Sequence, residues 1–449
     1  MLPVVLAPLL LSLPVQDTHT ELEAFIQSLV APALEHEGVP GLSIAVMREG
    51  ELVFVHAYGW ADERLNLPMK VETAFPIGSL GHGLVSATAL REVERGALTL
   101  DAQLGKLLPD VPAALQPITL RQLLDGTSGL PASTALYQQL SEKPPAQRLA
   151  RKEFLELLAA LPAQSAPGKA FAADSSAWLV LPLVVAEAGK RSFGDSLLQE
   201  VCTPLELSGT LVRGALAGVL GHAADCREVL EGRALEVWSG FEPRECSTPL
   251  LSTPSDLVRW QTALFQHKLL AEESTRVLTG GVLASGDDGP GLNACFELGK
   301  LGGQPSWRHV GGIAGWRGAL SWYGDAHLSI CVLANCNSAR VGPMEEEIAR
   351  FLLQMPPHEP QDLPLAAGES AALCGTYQLG TLRVRIFERD GRLWYESASE
   401  VTFRLRSQGL RRFLSAAGDV RLRFSDETPK AASFDETRKG ATSVAKRAD

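Results

Sequence analysis

Phe75-Pro76-Ile77-Gly78-Ser79-Leu80-Gly81-His82 sets a serine at the entrance to an apolar-periodic segment. Leu80, Leu84, Ala87, Leu90 and Val93 fall on or near one stripe, which predicts a helix from Ser79 to Arg95. A serine at that point has two uses. As a helix cap, its hydroxyl accepts from the backbone N–H groups of the first turn. As a nucleophile, it gains from N–H groups that favour negative charge, and from a neighbour at i+3 on the same face. That neighbour is His82. A serine hydroxyl is a poor nucleophile until such a base takes its proton.

Working outward, Leu22, Phe25, Ile26, Leu29 and Leu34 keep a helical period from Glu21 onward, and Val39-Pro40-Gly41 closes it. Leu42 to Met47 and Glu51 to Val55 alternate around Arg48-Glu49-Gly50, the pattern of a hairpin. Further helices are expected at Arg121–Leu124, Glu153–Leu161 and Trp178–Ala188, the last stopped by Gly189. Thr253-Pro254-Ser255-Asp256 is a strong helix start, with Thr as cap and Pro at the first position. Late strands are expected at Ala319–Tyr323 and Leu328–Leu333. A hairpin, many helices and a second run of strands make an α+β fold, its antiparallel sheet built from both ends and flanked by helices.

The 449 residues exceed one ordinary domain, and 45% hydrophobic with 21% charged residues is the balance of a folded globular chain. A net charge of −11 argues against nucleic acid as a partner, since phosphates need a field of cations. No apolar run has the length of a membrane span. The seven cysteines include no C-x-x-C pair, so neither a metal site nor a cofactor is expected. Leu2 to Val15 is apolar and Gln16-Asp17 ends it. Residues 1–19 therefore read as a signal peptide, and the protein as secreted or periplasmic at the cell envelope. No Lys or Arg precedes the run and no A-x-A follows it.

Residues 354–368 read as a linker, with prolines at 356, 357 and 360. Beyond it the period becomes two: Leu382, Val384 and Ile386 alternate with arginines, as do Phe403, Leu405, Leu422 and Phe424. Residues 369–446 are thus a small antiparallel β domain with an apolar and a basic face, the basic one read as solvated. One last strand is expected around Ala432–Phe434.

Over residues 20–353 the chain resembles the serine β-lactamases and penicillin-binding esterases of the class C type. The resemblance rests on Val39–Val46, Phe75–Ser79, Gly96–Asp101, Ile118–Leu124 with Thr127-Ser128-Gly129-Leu130-Pro131, Leu251–Leu257, and His309-Val310-Gly311-Gly312 ahead of Val332-Leu333-Ala334-Asn335. It implies a β-lactamase/transpeptidase-like domain with Ser79 as nucleophile and an oxyanion hole that includes the Ser79 N–H. The C-terminal β domain is similar to the lipocalin-like appendage often fused to such hydrolases.

The chain departs from the family at the chemistry. S-x-x-K reads Ser79-Leu80-Gly81-His82, so histidine replaces lysine. After Pro167-Gly168-Lys169-Ala170-Phe171, the family's Y-x-N becomes Ala173-Asp174-Ser175. K-T-G or H-x-G survives as His309-Val310-Gly311, and the loop before Ser128 carries Gly126 where histidine is usual. The expected catalytic residues are Ser79, His82 and His309; Gly311, Asp174 and Ser175 are the expected binding residues. His82 reads as a buried replacement for the lysine or as an unusual base, with His309 on the facing strand able to help. Asp174 reads as a helix-capping carboxylate or as part of the binding site.

The losses predict an impaired homologue, weakly active or non-catalytic, that binds a small ester- or peptide-like ligand. Ordinary β-lactam turnover is not expected. Two alternatives stay open: an active serine esterase or D-amino-acid peptidase using Ser79 with His82, and a cell-envelope interaction module acting through the β domain.

Overall fold

The chain's computed structural model describes residues 15–35, 38–63, 65–141, 150–212, 227–230, 233–236, 250–280, 291–313, 315–355, 365, 368–397, 402–407, 411–415, 420–425, 430–438 and 441–448. Most of the apolar leader and most of the proline-rich linker lie outside these residues.

Helix α1 (Val15–Glu35) leads into strands β1 (Gly41–Arg48) and β2 (Glu51–Asp62). Glu49 and Gly50 join them at φ 53° and 86°. A two-residue turn of that hand matches strand twist, so the expected hairpin forms. A short β3 (Leu67–Pro68) pairs with β2. Helices α2 (His82–Glu94), α3 (Ser133–Ser141), α4 (Ala177–Gly189) and α5 (Pro254–Phe265) follow. Then come β4 (Gly291–Leu292), β5 (Glu297–Leu301), β6 (Gln304–Ile313), β7 (Trp316–Tyr323), β8 (Leu328–Ala334) and helix α6 (Val341–Leu352).

The main sheet has the order β3-β2-β1-β8-β7-β6-β5-β4 and is antiparallel throughout. The N-terminal hairpin is thus stitched to the last strand before α6. Alternation sorts the side chains. Leu42, Ile44 and Val46 join Ile330, Val332 and Ala334 in a core with α1 and α6. Ala45 and Met47 join Cys331 and Leu333 in the opposite core, with α2, α4 and α5. A sheet covered on both faces explains why β1 is buried up to Arg48.

The helix starts behave as their residues dictate. Thr253 accepts from the Asp256 N–H at 3.2 Å, with Pro254 at the first position of α5. Thr119 caps Leu120–Leu124 by a capping box with Gln122, a stronger start than the run Arg121–Leu124 implied. Gly189 is the last residue of α4, and Lys190 after it takes the left-handed conformation. The helix expected from Ser79 is a 3₁₀ turn, Gly78–Gly81, followed by α2. The reason is local: the Ile77 N–H is engaged by Leu250 O at 3.1 Å and Gly78 sits at φ 50°, so the chain must tighten before it can coil.

The C-terminal strands close on themselves. They are β9 (Gly375–Leu379), β10 (Leu382–Arg389), β11 (Arg392–Ser397), β12 (Thr402–Ser407), β13 (Arg412–Ser415), β14 (Val420–Phe424), β15 (Ser433–Arg438) and β16 (Ala441–Arg447). Each pairs with the next, and β16 pairs back onto β9. The interior is packed with Tyr377, Tyr395, Phe403, Phe413, Phe424 and Phe434. One strand was expected after Asp426 and two are present; β16 has few apolar residues to betray it, and Ala445 is the residue it buries in that core.

Buried carboxylates pair with arginines from distant segments. Arg308 of β6 donates from Nε to Glu345 of α6 at 3.1 Å, and Tyr323 donates its hydroxyl to the same carboxylate at 2.8 Å. Burial pushes the Glu345 carboxyl up, and Arg308 holds it back. Glu345→Ala leaves a buried guanidinium with one fewer counter-charge, and a loss of about 3–5 kcal/mol is expected in denaturant unfolding.

Glu200 packs against Arg191 at 2.7 Å and against Arg95. Burial pushes its carboxyl up, but the Arg191 hydrogen bond and the Arg95 charge outweigh this and hold it below the ordinary glutamate range. The folded chain therefore binds fewer protons at this site than the unfolded one. Its contribution is complete above about pH 4.3 and is lost as pH falls through the lowered value. Parent and Glu200→Gln should differ in urea midpoint at neutral pH and converge in acid.

Candidate active site

The site lies where the Gly78–Gly81 turn meets β6. The turn is anchored from below: Leu80 is buried in the core under β7 and β8. The approach of turn to strand is so close that side chains are excluded. A Cβ on Gly78 would stand 2.5 Å from the Gly312 carbonyl oxygen, and a Cβ on Gly311 would stand 2.2 Å from Ser79 Oγ. Glycine at 311 is therefore what lets the serine hydroxyl occupy its place.

His309, two residues earlier on the same strand, points to the same side. Its Nε2 lies 3.0 Å from Ser79 Oγ and its Nδ1 lies 2.7 Å from the Cys295 carbonyl oxygen. A carbonyl oxygen only accepts, so the neutral ring carries its proton on Nδ1. Nε2 then presents a lone pair to the serine hydroxyl, which donates to it. This is a nucleophile–base–orienter chain in which a main-chain carbonyl stands in the orienting position usually held by a carboxylate. His309 is buried.

His82 follows the serine by one turn. Its ring lies 4.6 Å from that of Trp178 on α4 and meets His309 edge-on at 5.9 Å. Both imidazoles line one small pocket with Ala173, Cys295 and Val310. Ala173 thus faces the two rings from where the sequence pattern put a tyrosine. Tyr137 of α3 stands behind Trp178 at 6.3 Å. Burial, and then the charge of Asp174, pushes its phenol well up, so it stays protonated.

The remaining expected residues hold local structure. Asp174 accepts from the Ser133 N–H at 2.9 Å, from the Ser133 hydroxyl, and from Thr134 Oγ1 at 2.7 Å, which ties it to the first turn of α3. Ser175 is buried, and its Oγ accepts from the Ala177 N–H at 3.2 Å, where α4 begins. Neither stands among the residues that line the pocket of the two imidazoles. Sequence reasoning missed Cys295, because its contribution is a carbonyl that every residue carries.

Strand β5 pairs with β6 from Leu301↔Gln304 as far as Glu297↔Arg308. From His309 to Ile313 the strand pairs with β7, and the face that carries His309 and Gly311 is turned to the serine. Among the described residues no cluster of His, Cys, Asp or Glu could hold a metal ion.

Known proteins share this plan. The beta-lactamase family model matches residues 26–353. Esterase EstB of Burkholderia gladioli is 30% identical over 366 residues, 72% of this chain and 92% of that protein. A D-aminopeptidase of Brucella anthropi is 26% identical over 330 residues, 70% of this chain and 59% of that protein. The structure of the octameric penicillin-binding protein homologue from Pyrococcus abyssi superposes with a TM-score of 0.69 at 17% identity, covering 94% of this chain and all of that one.

The Gly311 contact is open to test. Gly311→Ala should push the Ser79 hydroxyl off His309 and abolish labelling of Ser79 by a fluorophosphonate, with circular dichroism unchanged. Labelling at the parental rate would show that the hydroxyl does not sit under β6.

Proposed function

The chain belongs to the serine β-lactamase and penicillin-binding-protein-like family, and from that premise we propose that it is an active serine hydrolase of small esters or amides. Ser79 is its nucleophile and His309 its general base. The observation that carries this reading is the 3.0 Å contact between Ser79 Oγ and His309 Nε2, with the ring's other nitrogen held by a carbonyl. Loss of the family's lysine and tyrosine, read alone, favours a weakly active or non-catalytic protein. The imidazole in hydrogen-bond contact with the serine supplies the missing proton acceptor by another route.

The steps follow from the geometry. As Ser79 Oγ attacks the substrate carbonyl carbon, its proton passes to His309 Nε2. The resulting imidazolium keeps its Nδ1–H on the Cys295 carbonyl, so the ring is charged on a partner already aimed at it. The oxyanion develops beside the start of the 3₁₀ turn, where main-chain N–H groups have no partner within the helix. Nε2 then protonates the leaving alcohol or amine, and an acyl-serine remains. Water, deprotonated by the same nitrogen, attacks the acyl carbon, and the proton returns to Ser79 as the acid departs. One base thus serves both half-reactions.

His82 stacks on Trp178 and faces His309 by its edge. Its part is to fill the former lysine volume and to hold His309 upright. Esters with good leaving groups are the favoured substrates, because a single imidazole must supply every proton. Expressed with its leader, the protein is placed outside the cytoplasm, and the linker at 354–368 divides a hydrolase unit from the barrel.

With p-nitrophenyl butyrate, Ser79→Ala should abolish turnover. His309→Ala should cost about 10²–10⁴-fold in kcat. His82→Ala should lower the melting temperature more than the rate. Parental turnover in His309→Ala would overturn the assignment of the base. Hydrolysis of a chromogenic cephalosporin should stay near background.

A further inference from the structure

We propose that Asn293 is a positioning residue for this reaction: by closing the turn 293–296 it fixes the carbonyl that orients His309. The inference rests on the Ser79–His309 reading and extends it to a residue outside the catalytic chain.

The side chain of Asn293 is buried and works in three directions. Its Oδ1 accepts from the Cys295 N–H at 2.8 Å and from the Phe296 N–H at 2.7 Å. Its Nδ2 donates to the Gly280 carbonyl at 3.2 Å. Its own N–H donates to the Phe296 carbonyl at 3.0 Å. One amide side chain therefore fills the inside of the turn. The Cys295 N–H is turned inward by this, and the Cys295 carbonyl is delivered to His309 Nδ1 at 2.7 Å.

The same turn is fastened to two helices, α2 and α5. The Cys295 thiol reaches the Ser86 hydroxyl of α2 at 3.8 Å. The Phe296 ring lies 6.5 Å from Trp260 and 6.1 Å from Phe265, both on α5.

A carboxylate orienter can rotate about its own side-chain bonds to follow the imidazole. A main-chain carbonyl cannot, because its direction is set by the backbone of the turn. Whatever fixes the turn thereby fixes the ring's tautomer and its aim at Ser79. Asn293 lines the pocket of the two imidazoles and acts on the base through the Cys295 carbonyl, so misplacement by a fraction of an ångström is felt in the chemical step.

The test compares the full chain with Asn293→Ala and Asn293→Asp, with Ser79→Ala and His309→Ala alongside, on p-nitrophenyl butyrate. Asn293→Asp keeps an oxygen for both N–H groups, so it is the conservative rescue. The expected result is a kcat for Asn293→Ala lowered by about 10–100-fold at little change in KM, and an Asn293→Asp kcat restored to near the parent. A parental kcat in folded Asn293→Ala overturns the proposal and leaves the Ser79–His309 reading intact. An Asp variant no better than the Ala variant also overturns it, because aspartate retains the acceptor for both N–H groups and gives up only the Nδ2 bond to Gly280. If Asn293→Ala fails to fold, Asn293→Asp decides by itself: near-parental kcat supports the proposal, and a loss as large as that of His309→Ala overturns it. Parental turnover in Ser79→Ala or His309→Ala removes the reading on which the inference stands, and the inference with it.

Discussion

The meeting of two bare stretches of backbone governs this molecule. Gly78 and Gly311 let a tight turn and a strand come within the reach of one hydrogen bond, with no Cβ between them. Everything near the site answers to that approach. Leu80 is buried in the core below, and the serine hydroxyl fills the space a side chain on Gly311 would take. Once the hydroxyl is there, any group one pleat away on β6 can reach it, and that group is His309. The pairing of the serine with its imidazole is thus a product of strand register more than of helix spacing.

The choice of imidazole also settles what surrounds it. A lysine working as a base must be kept neutral by its neighbours, a demanding task near neutral pH. A histidine needs only one nitrogen satisfied so that the other is available. Here a carbonyl provides that satisfaction without introducing a charge. The position where the family pattern has tyrosine is then an alanine lining the same pocket. On the proposed mechanism the replaced residues belong to one change of chemistry, in which a charged lysine–tyrosine arrangement gives way to neutral rings.

Much of the fold was legible in the sequence where local chemistry is decisive. Glu49-Gly50 and Thr253-Pro254 announce a turn and a helix start by their own conformational preferences, and both occur. The alternation of Leu382, Val384 and Ile386 with arginine announces a strand with one wet face. What could not be read is what depends on distant partners. The outermost strands β4 and β5 carry little apolar pattern, and β16 is mostly polar; each exists because a neighbour offers its edge. The site was legible to a similar depth. Ser79, His82 and His309 could be singled out as residue types, yet which imidazole meets the serine depends on a strand 230 residues away. Asp174 and Ser175 stood in the right sequence interval, but their oxygens are engaged by the helix starts beside them.

The stitching of the first hairpin to the last strand of the main sheet bears on how the chain reaches this state. The Gly41 N–H donates to Asn335 Oδ1 across 294 residues, and β1 has no partner on its inner side until β8 has been made. Contacts of such sequence separation are entropically slow to form and arrive late in folding. The serine turn and the histidine strand both lie in the chain between Gly41 and Asn335, and their own contact spans 230 residues. Until contacts of that range have formed, the serine and the imidazole stay apart, so the geometry of the site is a late product of folding.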